Sequence, residues 1–349
     1  MRCFLLSSLI VLTIGLSSKG ENKPPPEGLQ LLVQKVGPDP LPYQAVRLRL
    51  TLRNDGKKEV ADLLLPEGTS ILTGIKGPKD ADFLSTGLKG RRGGVGLLPR
   101  SRSDFRNHDL VFETQRLTLK PGEQDSVVGA FVRPASPDEL ALLLQPGEHT
   151  LRLEYWQKYS ASFDLKPATV QVKVAEPKGA DAEVCKLLDK LRATKRDVVD
   201  SFMAAIYYRD CPEAETVPFL ESIVTKYPKS SYADYARLIL AHHHLEGQDP
   251  DGKQKKDIPK ADIDAAVAYL NAINVKDFPY AADALLFLRT IHRWRTGDQR
   301  QVGQIEARLA AEFPEDVAWI VAQSDRLFLS KLIEDRKLAP INRGPRNPK

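Results

Sequence analysis

Three consecutive histidines, His242, His243 and His244, are the densest set of metal-capable side chains in the 349-residue sequence. Imidazole binds zinc or copper, but adjacent helical positions point about 100° apart, so the three do not share one tetrahedral site unaided. A metal centre there needs His292 or a carboxylate from a neighbouring helix; a half-buried helix edge explains the cluster more simply. A second set lies between Gly87 and His108, where five glycines accompany Lys89, Arg91, Arg92, Arg100, Arg102 and Arg106 against one acid, Asp104. A glycine-rich loop aims backbone N–H groups and guanidinium forks at an anion, which makes Arg91, Arg92, Arg100 and Arg102 candidate contacts for an acidic partner such as an anionic glycan. No phosphate-loop or dinucleotide fingerprint accompanies them, and a solvated loop has the same composition.

Nucleophilic chemistry has less support. There is no Gly-x-Ser-x-Gly elbow and no His-Glu-x-x-His, and Cys185 and Cys211 do not stand in a reactive dyad by spacing. Asp62 with Glu67, and Asp262 with Asp264, fall in turn or helix-start contexts. No cofactor or metal is expected, and no enzymatic activity.

The elements that position these residues begin with a leader. Arg2 precedes an almost wholly apolar run, Phe4 to Leu16, followed by Ser17, Ser18 and Gly20. Thirteen helical residues reach about 20 Å, short of a bilayer core of about 30 Å. Residues 1–20 are therefore read as a secretory signal peptide, with an uncleaved anchor as the alternative. Cys3 lies before the apolar run, where lipid attachment does not use it. No later segment is apolar enough to span a membrane, so the mature chain is expected beyond the inner membrane, in the periplasm. Residues 21–176 carry 22 basic and 20 acidic side chains, and residues 177–349 carry 27 and 26. That balance provides no electrostatic footprint for nucleic acid.

After a proline-rich leader (21–28), residues 29–175 read as short strands. Val46, Leu48, Leu50 and Leu52 alternate with Arg47, Arg49, Thr51 and Arg53, burying one face and wetting the other. Asn54-Asp55-Gly56 then predicts a hairpin into Val60 to Leu65. Similar units surround Lys120-Pro121-Gly122-Glu123 and Gln145-Pro146-Gly147-Glu148, and the last strand runs through Val170, Val172 and Val174. The pattern of Arg47 to Gly56, with the Pro-Gly turn before Leu151, resembles immunoglobulin-like domains of bacterial envelope proteins, which implies an antiparallel β-sandwich. His149 sits near where such domains often keep a turn-anchoring tyrosine.

Residues 176–181 read as a linker, beyond which the apolar period changes from two to 3.6. Val184, Leu187, Leu188 and Leu191 share one helical face. Val198, Val199, Phe202, Met203, Ile206 and Tyr207 share another. Three aromatic-proline pairs follow: Tyr227-Pro228, Phe278-Pro279 and Phe313-Pro314. Phe219, Leu270 and Ile305 lie nine residues before these prolines, and Ala233, Ala284 and Trp319 five residues after. Proline ends a first helix and small residues let a second approach it. The last two prolines are 35 residues apart, near the tetratricopeptide period of 34. The first two are 51 apart, the same unit with an insertion around Gln248 to Lys260. Asn274 replaces the apolar residue found at Ile223 and Leu309, which predicts a short or irregular helix there. The segment Phe219 to Gly247 resembles tetratricopeptide repeats of bacterial envelope proteins, such as the Tol–Pal coordinator and the outer-membrane-assembly lipoprotein. The resemblance implies a helical-hairpin array over 182–337 that binds a partner protein or peptide in a groove. A closed bundle without a groove fits the same apolar stripes. Residues 338–349 read as a disordered basic tail.

The expected function is non-catalytic protein binding. One alternative is a carbohydrate-binding sandwich using Tyr43, Tyr155, Trp156 and Tyr159; another is an enzyme with a site between the domains. For the cysteines two readings stand: a bridge contributing about 3–4 kcal/mol, or two buried thiols. Thiol titration of the denatured, unreduced mature protein, from which Cys3 has been removed, separates them, because a Cys185–Cys211 bridge leaves no reactive thiol and buried thiols leave both.

Overall fold

The computed structural model describes residues 24–64, 70–80, 82–85, 116–131, 145–155, 163, 165–203, 213–245 and 262–313. The N-terminal half is built from antiparallel strands and the C-terminal half from helices. The strands are β1 (Leu29–Lys35), β2 (Val46–Asn54), β3 (Val60–Leu64), β4 (Ser70–Lys76), β5 (Leu84–Ser85), β6 (Arg116–Leu119), β7 (Gln124–Phe131), β8 (Gly147–Tyr155) and β9 (Ala168–Val174). They form three sheets in the orders β1-β2-β7, β3-β6 and β5-β4-β8-β9. Leu48, Leu50 and Leu52 of β2 are fully buried, and they share one apolar core with Leu63, Leu119, Leu151, Leu153 and Val172 from the other two sheets. The alternation read from β2 is thus the alternation that packs, because successive strand side chains point to opposite faces.

The connection after β2 departs from expectation. β2 pairs with β1 and β7, whereas β3 pairs with β6 in a different sheet, so Asn54-Asp55-Gly56 is a corner between sheets and not a hairpin turn. The reason is the Asn54 side chain, which is completely buried. Its Nδ2 donates to the carbonyls of Lys58 (2.8 Å) and Leu119 (2.9 Å), and its Oδ1 accepts from the Gly56 amide (3.0 Å). The Asn54 backbone is also bonded, from its N–H to Glu123 and from the Gly122 N–H to its carbonyl. A side chain spent on three backbone groups, two in the turn and one in β6, holds a corner that a hairpin would not need. Gly56 packs directly against the backbone at Glu27 and Gly28; a Cβ on Gly56 would lie 2.1 Å from the Glu27 carbonyl oxygen. The Pro121-Gly122 turn likewise joins strands of different sheets, β6 and β7, while β8 and β9 pair directly. His149 bonds across the turn that precedes it: its Nε2 lies 2.8 Å from the Gln145 carbonyl, on the other side of Pro146-Gly147.

The helices are α1 (Ala180–Thr194), α2 (Arg196–Met203), α3 (Glu213–Lys226), α4 (Ser231–Leu245), α5 (Ile263–Asn271), α6 (Ala281–Ile291) and α7 (Gln299–Glu312). Val184 and Leu188 of α1 and Val198, Val199, Phe202 and Met203 of α2 are buried, on the faces the 3.6 period assigned. α3 ends one residue before Tyr227-Pro228, and α4 begins three residues after the proline. α5 ends at Asn271, three residues before Asn274, which matches the short helix expected there. α6 runs into one wide turn, His292–Thr296, closed by Gly297 in the left-handed region (φ 73°). Asp262 and Asp298 cap α5 and α7, accepting from the amides of Ala265 (2.9 Å) and Gln301 (3.1 Å). No helix among the described residues is long and apolar enough to cross a membrane.

Replacing Asn54 by Ala leaves the Leu119 carbonyl and the Gly56 amide without their partner, and is expected to cost about 3 kcal/mol. Replacement by Asp restores only the acceptor and is expected to be destabilising too. Urea denaturation followed by circular dichroism measures both.

Candidate functional site

Among the described residues, a set of polar side chains bonds the strand half to the helical half. The connection between β1 and β2, residues 36–45, leaves the sheet and enters the helical half. Tyr43 (2% exposed) and Ala45 (3%) belong to the apolar core of the helices, not to that of the strands. Leu41, Pro42, Tyr43 and Gln44 make a tight turn closed by the Gln44 N–H on the Leu41 carbonyl (3.1 Å). Tyr43 has φ 67°, the one positive value among the described non-glycine residues. Proline followed by a residue of positive φ is the signature of a type II turn, whose third position favours glycine or asparagine. A tyrosine there costs about 1–2 kcal/mol of backbone strain. Burial of a large side chain contributes about 1.5–3 kcal/mol. Its hydrogen bonds add about 1 kcal/mol each. The contacts outweigh the strain.

Those contacts come from two helices. The Tyr43 hydroxyl donates to Asp189 of α1. On α4, the Tyr232 hydroxyl donates to the Pro42 carbonyl, and the Tyr235 hydroxyl accepts the Ala45 N–H (2.8 Å). The Gln44 amide donates to Ser231 Oγ (2.7 Å). Further along, Arg47 of β2 sits over the Phe313 ring at the end of α7, 5.5 Å from its centroid. Behind α4, Phe202, Phe278 and Tyr280 surround Tyr235 with ring centroids 5.1–5.8 Å away, which fixes its ring and so aims its hydroxyl.

The predicted linker is shorter than expected, since its last two residues, Ala180 and Asp181, open α1, and it is held on both sides. The Ala175 N–H donates to the Pro40 carbonyl (2.8 Å). Asp181 Oδ1 accepts from the Ser230 hydroxyl (2.7 Å), the Ser231 N–H (2.9 Å) and the Ser231 hydroxyl (3.1 Å), a carboxylate at the start of α4. On the same helix Arg237 pairs with Asp234 (2.6 Å) and donates to the Pro228 carbonyl (2.8 Å), while Asp234 accepts the Asn274 N–H (3.3 Å). One buried ion pair thereby ties the Tyr227-Pro228 connection to the connection between α5 and α6. Burial pushes the Asp234 carboxyl up, against the pull of Arg237.

Burial foremost, and then the bond to and charge of Asp189, push the Tyr43 phenol far above its ordinary range. Burial does the same for Tyr232, flanked by Cys185 and Asp181, and for Tyr235. Cys185 is a free, buried thiol at the foot of this cluster, and burial raises it as well. All four groups are neutral at physiological pH. The groups bonded within this cluster are hydroxyls, a carboxylate and peptide groups.

The residues singled out in the sequence are distributed differently. Arg91, Arg92, Arg100, Arg102, Cys211 and Pro314 lie outside the described residues, as do residues 1–20, the 248–260 insertion and the 338–349 tail. His242 stacks on Phe287 (4.0 Å between centroids), and His244 stacks on Tyr269 (5.6 Å). The adjacent His243 and His244 rings meet edge to face, 5.5 Å between centroids. No group of three His, Cys, Asp or Glu side chains among the described residues is placed to hold a metal. Phe278 and Phe313 are buried and Tyr227 is half-buried. The carbohydrate-binding alternative loses two of its four candidate aromatics: Tyr155 (1% exposed) belongs to the strand core and Tyr43 to the helical core. Trp156 and Tyr159 lie outside the described residues. Sequence reasoning missed Asp181, Asp189, Tyr232 and Tyr235 as a set; the one available signal was an aromatic residue placed directly after proline in a strand connection. No protein-family model matches the chain, and no curated protein matches it.

An acid whose folded pKa is raised retains its proton longer when folded, so stability falls as pH rises past the unfolded value, about 10 for tyrosine. The expected result is a urea midpoint that holds steady up to about pH 9.5 and then drops. Absorbance at 295 nm should show a group of tyrosines ionising only together with unfolding; full ionisation in the native state contradicts this.

Proposed function

We propose that this chain is a non-catalytic protein-binding scaffold of the bacterial cell envelope. Residues 29–175 form an immunoglobulin-like sandwich, and residues 182–337 a tetratricopeptide-like array of helical hairpins. Support for the sandwich is the single apolar core shared by three antiparallel sheets. Support for the repeats is the α3–α4 pair joined through Tyr227-Pro228, followed by the shorter α5 and then α6 beyond Phe278-Pro279.

The observation that carries the functional reading is the way the helical half takes up residues 41–45. One side chain fills a cleft, two backbone groups are bonded by helix side chains, and a flanking amide meets a serine. This is how a protein surface holds a peptide, through main-chain bonds for affinity and a side-chain pocket for specificity. The sandwich then acts as a mount. It is fixed to α1, α4 and the end of α7, so that faces of both halves are offered to a partner in one orientation.

The test is capture from native envelope extract on the whole chain, because separating the halves would expose Tyr232 and Tyr235. One client is expected in equimolar amount, rebinding after purification with a Kd of about 1 µM or below. Recovery of nothing above an unfolded control overturns the reading.

A further inference from the structure

We propose that the Leu41–Ala45 turn is an internal stand-in, and that the α1–α4 cleft it fills is the binding site for a proline–tyrosine turn carried by a partner protein. This rests on the protein-binding reading and specifies the partner's chemistry. The cleft recognises features that any chain can present: a phenol for Asp189, a carbonyl before it for Tyr232, and an N–H two residues after it for Tyr235. None of these contacts depends on the sheet from which the turn comes. The docked tyrosine has left-handed backbone geometry that L-residues with bulky side chains rarely adopt, φ 67°. Strain of this kind collects at ligand clamps and switches, where surrounding contacts hold it in place. The cleft itself is preformed, since Phe202, Phe278 and Tyr280 brace Tyr235 and three bonds from Ser230 and Ser231 fix Asp181 at the head of α4.

The internal turn has an effective concentration in the millimolar range. A free peptide therefore competes poorly, whereas a partner with contacts on both halves displaces the turn. Displacement frees residues 36–45 and releases the strand half from α1 and α4 in the same event.

The experiment uses the whole chain carrying Tyr43→Ala, with the peptide acetyl-Leu-Pro-Tyr-Gln-Ala-amide bearing a fluorophore, read by anisotropy. The emptied cleft is expected to bind the peptide at least about ten-fold more tightly than wild type does. Phenylalanine in place of the peptide's tyrosine, or Asp189→Asn in the chain, should weaken that binding several-fold. Equal binding to both chains, or none to a Tyr43→Ala chain that circular dichroism shows to be folded, overturns the proposal. Should Tyr43→Ala not fold, Tyr43→Phe keeps the ring and is expected to bind more peptide than wild type; no gain overturns it. A captured client that binds wild type and Tyr43→Ala equally, and is not displaced by the peptide, overturns this site while leaving the scaffold reading in place. Peptide uptake without any client upholds the cleft and removes the scaffold.

Discussion

Burial of Tyr43 between α1 and α4 is the constraint around which the molecule is organised. Without that ring, Cys185, Tyr232 and Tyr235 would line an open apolar hollow and the Asp189 carboxylate would lose its phenol. With it, the strand half contributes directly to the helical core. The turn that delivers the ring is held by α4 through backbone atoms, so its shape matters as much as its sequence. The strain at Tyr43 is tolerated because its own hydroxyl is bonded and three further contacts fix the residues on either side of it.

α4 is the element on which most of these forces converge. Its first turn receives Asp181 from the first turn of α1, its Tyr232 and Tyr235 bond the strand connection, and its Asp234–Arg237 pair holds the flanking helical connections. A helix this heavily used on several faces is buried along most of its length, from Tyr232 to Ala241. Its histidines emerge only at the far end, where the rings spread over Phe287 and Tyr269.

Periodicity in the sequence identified what depends on periodicity. Leu48, Leu50 and Leu52 of β2 and Val184 and Leu188 of α1 lie on the faces their spacing demanded, and Asn274 marked the short helix α5. Features that depend on where one buried polar side chain reaches were not legible. Asn54-Asp55-Gly56 has the composition of a hairpin turn, and only the bonds from Asn54 to Lys58 and Leu119 make it a corner. Tyr43 followed a proline in a strand connection, a context that suggests an outward platform; its burial depends on helices about 140–190 residues further along the chain. Nothing local in either segment records such distant partners.

The double attachment at the linker also has a mechanical meaning. Asp181 is fastened to the start of α4, and Pro40 to Ala175, so the covalent path between the halves runs beside the docked turn. A pull applied across the two halves divides between these attachments and does not fall on either alone. Loads carried in parallel are resisted more strongly than loads that break contacts one after another. A chain pulled apart at its two halves would behave as a stiff strut until the turn came out, and then as a tether with far greater reach.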